Sequence, residues 1–193
     1  MGIEVEVDYC CLPGAYLSEY ADASNAKHGT LLRSRLDSKK YDYVVLQDNG
    51  NADYEDSKPA MDIIVPMIEE NGATLLLYKR YSSNDDPTQR LGSATRHHKN
   101  YTKLAEVFNV DRVAAGADAY LIATADHPEI NLYHTDNSHH NNLGAYLMAS
   151  TMVIEFLDLD ISEISYTAGI DEDVAKTLRE IALKACTEGY DYE

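Results

Sequence analysis

The sequence predicts an α/β fold with a mainly parallel sheet, and three observations carry that prediction. Two runs, YDYVVLQ (41–47) and ATLLLYKR (73–80), are continuously apolar, the composition of strands buried on both faces. Stretches of helical length follow them, with apolar residues three and four apart. Strand and helix then alternate along 193 residues without repeat, low-complexity tract or linker, so a single domain, 1–193, is expected.

Taken in order, IEVEVDY (3–9) alternates with period two and is rich in Val and Ile, so it reads as a strand with one wet face. The strand at 41–47 follows. Residues 59–71 begin with Pro59 near a helix start and put Met61, Ile64, Val65 and Ile68 on one face. After the strand at 73–80, a helix over 88–108 carries Tyr101, Leu104, Ala105 and Phe108. DRVAA (111–115) reads as a short strand, and 115–126 as a helix. A helix over 142–157 stacks Leu143, Tyr146, Leu147, Ile154 and Leu157. The last, 171–186, places Val174, Leu178, Ile181, Ala182 and Ala185 on a stripe, with Asp171 as its N-cap.

Charge narrows the partners. Sixteen Lys and Arg against 33 Asp and Glu give a net charge of −17, a field that repels phosphate backbones and anionic lipid surfaces. No nucleic-acid or membrane partner is expected, and no run approaches the ~20 apolar residues of a membrane span. The opening MGIEVEVDY cannot be the apolar core of a signal peptide, so the chain as written reads as cytoplasmic. A segment missing from the N-terminus would leave the compartment unknown. Cys10, Cys11 and Cys186 make no disulfide framework; the adjacent Cys10 and Cys11 have neither metal-ligand spacing nor an obvious disulfide partner and read as buried thiols in a reduced setting.

In such sheets ligands bind at the carboxyl ends of the strands. CCLPGAYL, QDNGN and YSSNDD follow three of those ends, and LYHTDNSHHNNLGAYLMAS (132–150) precedes a helix whose loop reaches the same rim. Within it, Asp136 and His139 lie three apart at a helix entry. That spacing lets the carboxylate fix the imidazole through Nδ1 and leave Nε2 free as a base. Two other readings stay open. Asp136, Asn137 or Ser138 turns the chain and caps the helix, with the histidines solvated; or His134, Asp136, His139 and His140 form the metal site of a metal-dependent hydrolase, although no H-x-x-x-H pair lies on a helix. The pair His97 and His98, pointing opposite ways on a helix, reads as surface.

The stretch DNSHHNNLGAYLMA resembles the last block of SGNH (GDSL-type) hydrolases, D-x-x-H-P-x-x-x-G-x-x-x-x-A, keeping Asp136, His139, Gly144 and Ala149 but with His140 in place of Pro. KKYDYVVLQDNGN is similar to the block after the family's third strand, and LPGAYLSE to its second block. AGIDEDVAKTLREIALKA is similar to the closing helix of an uncharacterised bacterial subgroup. The resemblance implies a three-layer α/β/α sandwich with flavodoxin-like strand order. It implies hydrolysis of carboxylic esters, carbohydrate O-acetyl esters among them, with neither metal nor cofactor. By it, His139 is the general base and then acid, and Asp136 orients it. Gly14 N–H and Asn51 form the oxyanion hole, and Gln47 supports the turn.

The family's G-[DN]-S nucleophile block, after its first strand, has no counterpart here, so that central strand is expected to be absent. Cys10, Cys11 and Ser18 are poor substitutes; a Cys at a strand end is more often a small buried hydrophobe. The chain is then expected either to pair 3–9 with 41–47 or to borrow a strand from a second copy, a homodimer through the exposed sheet edge. A non-catalytic remnant, or a binding protein using the same cleft, is the alternative of a different class.

Overall fold

A computed structural model describes residues 4–83 and 86–192 as seven helices and a small parallel sheet. The sheet contains β1 (Tyr43–Leu46), β2 (Thr74–Tyr78) and β3 (Val113–Ala114) in the order β1-β2-β3. Tyr43 pairs with Thr74, and Leu77 with Val113. The helices are α1 (Leu17–Ala21), α2 (His28–Ser38), α3 (Tyr54–Asn71), α4 (Pro87–Phe108), α5 (Gly116–Asp126), α6 (Asn142–Leu157) and α7 (Glu172–Thr187).

Alternation along β2 divides the interior in two. Leu76 and Tyr78 join Ala114 in one core with α5, α6 and α7, where Leu147, Leu178 and Ala182 are fully enclosed. Leu75 and Leu77 face the other core, built by Leu46 with α1 to α4 around Met61, Ile64 and Ile68. Those three side chains are 0% exposed, so the stripe predicted on the third helix is its buried face. That helix begins earlier than Pro59. Asp53 accepts hydrogen bonds from the N–H groups of Glu55 and Asp56, and the Asp56 side chain accepts from Asp53 N–H, closing a capping box. Asp171 caps α7 as its sequence predicts, accepting from Asp173 and Val174. Helix α2 has no predicted counterpart. Its buried apolar side chains are only Leu32 and Leu36, one turn apart.

The strand expected at 3–9 does not form over its described residues; Ile3 lies outside them. Residues 4–9 run exposed, with Val5, Val7 and Tyr9 at 55%, 61% and 75%. They are tied to the approach to β1 by side chains alone. Lys39 Nζ lies 2.7 Å from Glu6 and 3.0 Å from Asp8, and the Tyr41 hydroxyl donates to Asp8 at 2.8 Å. Period-two patterning specifies a strand only when a neighbour supplies the ladder and buries one face. Among the described residues β1 pairs only with β2, so the pairing of 3–9 with 41–47 is absent. Cys10 and Cys11 also depart from expectation, Cys11 being exposed and Cys10 half-buried; both, like the half-buried Cys186, are free thiols. No helix among the described residues is long and apolar enough to cross a membrane.

Candidate functional site

The loop entering α6 is closed by an antiparallel bridge between Tyr133 and His140 and by donation from His134 N–H to His139 O at 2.7 Å. Inside it Asn137 adopts φ 55°, a left-handed conformation that Asn tolerates. This bend turns the backbone around the Asp136 carboxylate. Oδ1 accepts Ser138 N–H and His139 N–H, each at 2.9 Å, and Oδ2 lies 2.8 Å from His139 Nδ1. These contacts hold the Asp136 carboxyl well below the usual carboxylate range, His139 N–H contributing most, then Ser138 N–H and the imidazole. A permanently ionised partner on Nδ1 keeps the proton there and leaves Nε2 as the basic nitrogen. The His139 side chain is 80% exposed, so that nitrogen is accessible.

Asp136 thus turns the chain and orients the imidazole, uniting two of the readings left open by the sequence. The helix cap falls to Asn141, which accepts from Leu143 and Gly144 N–H. The third reading lacks its geometry. His134 Nδ1 stands 3.8 Å from Asp136, and the His140 ring packs 5.4 Å from the Tyr81 ring. Among the described residues no three His, Cys, Asp or Glu side chains converge as metal ligands.

Aromatic packing fixes the loop to the end of β2. Tyr81 stacks on Tyr120 at 4.6 Å, and Tyr133 meets Tyr120 edge-on at 5.4 Å. The Tyr81 hydroxyl donates to Ser138 O and the Ser138 hydroxyl to Ser83 O. Burial pushes the Tyr133 phenol up to about 12, so it serves as a donor, to Ser82 O at 3.0 Å. Gly144 lets α6 approach. A Cβ there would lie 2.5 Å from Leu132 O, 2.7 Å from His140 Cβ, and against the Tyr120 hydroxyl.

The opposite side of the rim holds Gly14, Gln47 and Asn51. Leu12-Pro13-Gly14-Ala15 is a tight turn closed by Ala15 N–H to Leu12 O at 3.2 Å, with Gly14 at φ 73°. Proline second and glycine third is the sequence of a type II turn. The Asn49 amide donates to Gly14 O at 2.8 Å, joining this turn to the loop after β1, and Asn51 is exposed there. Gln47 does not hold that loop: its side chain is exposed and makes only a 3.4 Å contact with Asp48 O. Asp48 does, at 3% exposure. Its Oδ1 accepts Leu17 N–H at 2.8 Å and Asn49 N–H at 2.7 Å, and its Oδ2 accepts the Ser57 hydroxyl at 2.8 Å.

His97 is also displaced from its expected role. It is 2% exposed, with Nδ1 3.1 Å from Arg80 O and Nε2 2.9 Å from Gly50 O. It shares a helix face with Ala94, Tyr101 and Leu104, all buried, and that periodicity was its sequence signal. Burial first, then the nearby Arg80 and Arg96 charges, lower its pKa; burial and Lys79, whose Nζ lies 3.3 Å from Nδ1, do the same to His98. The unfolded chain therefore binds these protons first. The stability they contribute is complete above the ordinary His value of 6.5 and is lost as pH falls from there toward the lowered folded values. Tm measured from pH 7.5 downward is expected to fall below about pH 6.5, and the fall to be shallower in His97→Gln. A Tm flat across that range, or an identical slope in the variant, contradicts this.

No direct hydrogen bond joins Gly14 or Asn51 to the dyad among the described residues; Arg80 and Tyr81 lie between the two sides. Nor does any described Ser, Thr or Cys hydrogen-bond to His139 Nε2. Ser18 is exposed on α1, and the Ser138 hydroxyl is turned to Ser83.

No family model matches this chain, and no curated protein matches it. Among solved structures it is similar to the crystal structure of a DUF4886 family protein from Bacteroides uniformis ATCC 8492. The two share 20% identity with a TM-score of 0.69, over 83% of this chain and 68% of that one. At that identity the likeness shows the mixed α/β fold.

Proposed function

We propose that this chain carries the acid–base and oxyanion side of an SGNH-type ester hydrolase, on the three-layer α/β/α sandwich of that family. The observation that carries the reading is the 2.8 Å contact between His139 Nδ1 and the ionised Asp136, with Nε2 open to solvent. In the reaction His139 Nε2 accepts the proton of the attacking hydroxyl and returns it to the leaving alcohol. Gly14 N–H and the Asn51 amide donate to the oxygen that becomes negative in the tetrahedral intermediate. The substrates are carboxylic esters, carbohydrate O-acetyl esters among them, and the chemistry needs no cofactor. With no hydroxyl or thiol hydrogen-bonded to Nε2 among the described residues, the attacking group they offer is water; a serine from a segment outside these residues would replace it.

That Nε2 has no hydrogen-bonded hydroxyl or thiol among the described residues favours one second reading, a cleft that binds esters without turning them over. Hydrolysis of p-nitrophenyl acetate separates the two. Turnover above buffer that falls about 10²-fold in Asp136→Asn, where the imidazole loses its charged partner, supports the hydrolase. Turnover indifferent to the substitution overturns it, and none above buffer leaves the binding protein.

A further inference from the structure

The rim between the two sides of the site contains a positive charge that the dyad chemistry does not use. Arg80, two residues beyond β2, is half-buried, with its guanidinium carbon 5.3 Å from the Tyr81 ring centroid. Its Nη1 occupies the space a Cβ on Gly50 would take, so a side chain at position 50 would push the guanidinium from this place. Arg96 reaches the same place from α4, donating from Nη2 to Gly50 O at 2.7 Å.

Three arginines elsewhere in the chain are occupied by protein acceptors. Arg33 donates to the carbonyls of Tyr20, Ala21 and Gly29; Arg112 to Phe156 O; Arg179 to the Tyr146 hydroxyl. The Arg80 guanidinium has no hydrogen-bond acceptor among the described residues. In a chain with 33 acidic residues, neither Arg80 nor Arg96 has a carboxylate within ion-pair distance among the described residues. A half-desolvated guanidinium with free donors is a fork suited to a planar or tetrahedral oxyanion.

A cleft lies against Gly50, which the Arg80 guanidinium touches, and against Arg96. It encloses about 490 Å³ and is lined by Gly50, Asn51, Ser83, Ser93 and Arg96 among others, with no Asp or Glu among the described residues of its wall. Hydroxyl, amide and guanidinium donors therefore face a space to which the described residues bring no carboxylate, on a protein of net charge −17. Its Asn51 is also the proposed oxyanion donor, which sets the reacting carbonyl beside this charge.

We propose that Arg80, with Arg96, binds an anionic group of the substrate, a carboxylate or a phosphate, in the cleft beside Asn51. The proposal deepens the ester-hydrolase reading and takes from it only the position of the reacting carbonyl. Substrates would then be esters whose acyl or alcohol part carries that anion, and Arg80 would determine specificity without touching the proton transfers. Long-range repulsion from the acidic surface would discriminate against anions that cannot reach the pair.

The test reads binding, so it is independent of turnover. The 193-residue chain is titrated with acetate, with inorganic phosphate and with neutral acetamide while its amide resonances are followed by NMR. Saturable shifts at Gly50, Asn51 and Arg96 with at least one anion, absent with acetamide, are expected, and whichever anion saturates names the group. The dissociation constant is expected to rise at least tenfold in Arg80→Gln. It should rise less in Arg80→Lys, which keeps the stem and charge and so controls for folding. Lys176→Gln, a distant loss of the same charge, should leave it unchanged. No saturable shift with either anion, unaltered affinity in both Arg80 variants, or an equal loss in Lys176→Gln would overturn the assignment. If anions bind as described but no ester is hydrolysed, the anion site stands and the hydrolase reading falls.

Discussion

Replacing His139 with alanine is expected to lower p-nitrophenyl acetate hydrolysis by about 10²-fold, the lower end of what a positioned general base contributes, because in the proposed reaction the base acts on water. The same substitution should leave folding untouched. The imidazole is 80% exposed and its only described polar contact is Asp136, whose carboxylate keeps both backbone N–H donors after the ring is gone. The two readouts therefore separate: activity falls while Tm and circular dichroism stay at wild-type values. A loss of both would make His139 a structural residue, and a loss of neither would place the chemistry elsewhere. Other exposed histidines, such as His134 and His140, supply the background rate against which the difference is read.

Asp48→Ala is expected to have the largest effect on stability. The carboxylate is 3% exposed and accepts from Leu17 N–H, Asn49 N–H and the Ser57 hydroxyl, so its removal strands three donors, the first of them buried beside Asp48 itself. Orphaned buried donors cost about 1–3 kcal/mol each, and partial solvent entry brings the total to about 3 kcal/mol or more. For a domain of this size that is roughly a 6–12 °C fall in Tm. Activity should fall further than stability implies. Asn49, whose N–H is held by Asp48, carries the link to Gly14, so both proposed oxyanion donors lose their support. Asp48→Asn keeps one acceptor oxygen and should lie between. A Tm within 2 °C of wild type in the alanine variant would show that the loop is held by something else.

How much of this was legible in the sequence depended on how local each interaction is. The Asp136–His139 contact spans three residues, and its geometry follows from the spacing and the helix entry behind it. Long helices with regular apolar stripes were equally plain: α6 runs over the predicted 142–157, and Asp171 caps α7. Helix α2 was missed because its buried stripe is two leucines, a histidine, His28, and a glycine, Gly29, that abuts the carbonyl of Asp22. Asp48 was hidden by its position. A lone acid between a strand and NGN reads as part of a polar turn, and its main partner Leu17 lies 31 residues away. Credit went to Gln47 next to it, which faces solvent. His97 could have been placed from its spacing to Tyr101, but the adjacent His98 made the pair look like surface. The alternation at 4–9 was real, yet a strand is defined by its neighbour. Lys39 and Tyr41 hold that segment through side-chain tips, leaving no ladder to β1.

The central claim is that these residues hold an oriented base without a nucleophile of their own. Intact mass of the 193-residue chain after exposure to a fluorophosphonate tests it most directly. The prediction is an unmodified mass in wild type, since no described hydroxyl or thiol is hydrogen-bonded to His139 Nε2. A single adduct that disappears in His139→Ala would contradict it and would place an activated nucleophile within this chain.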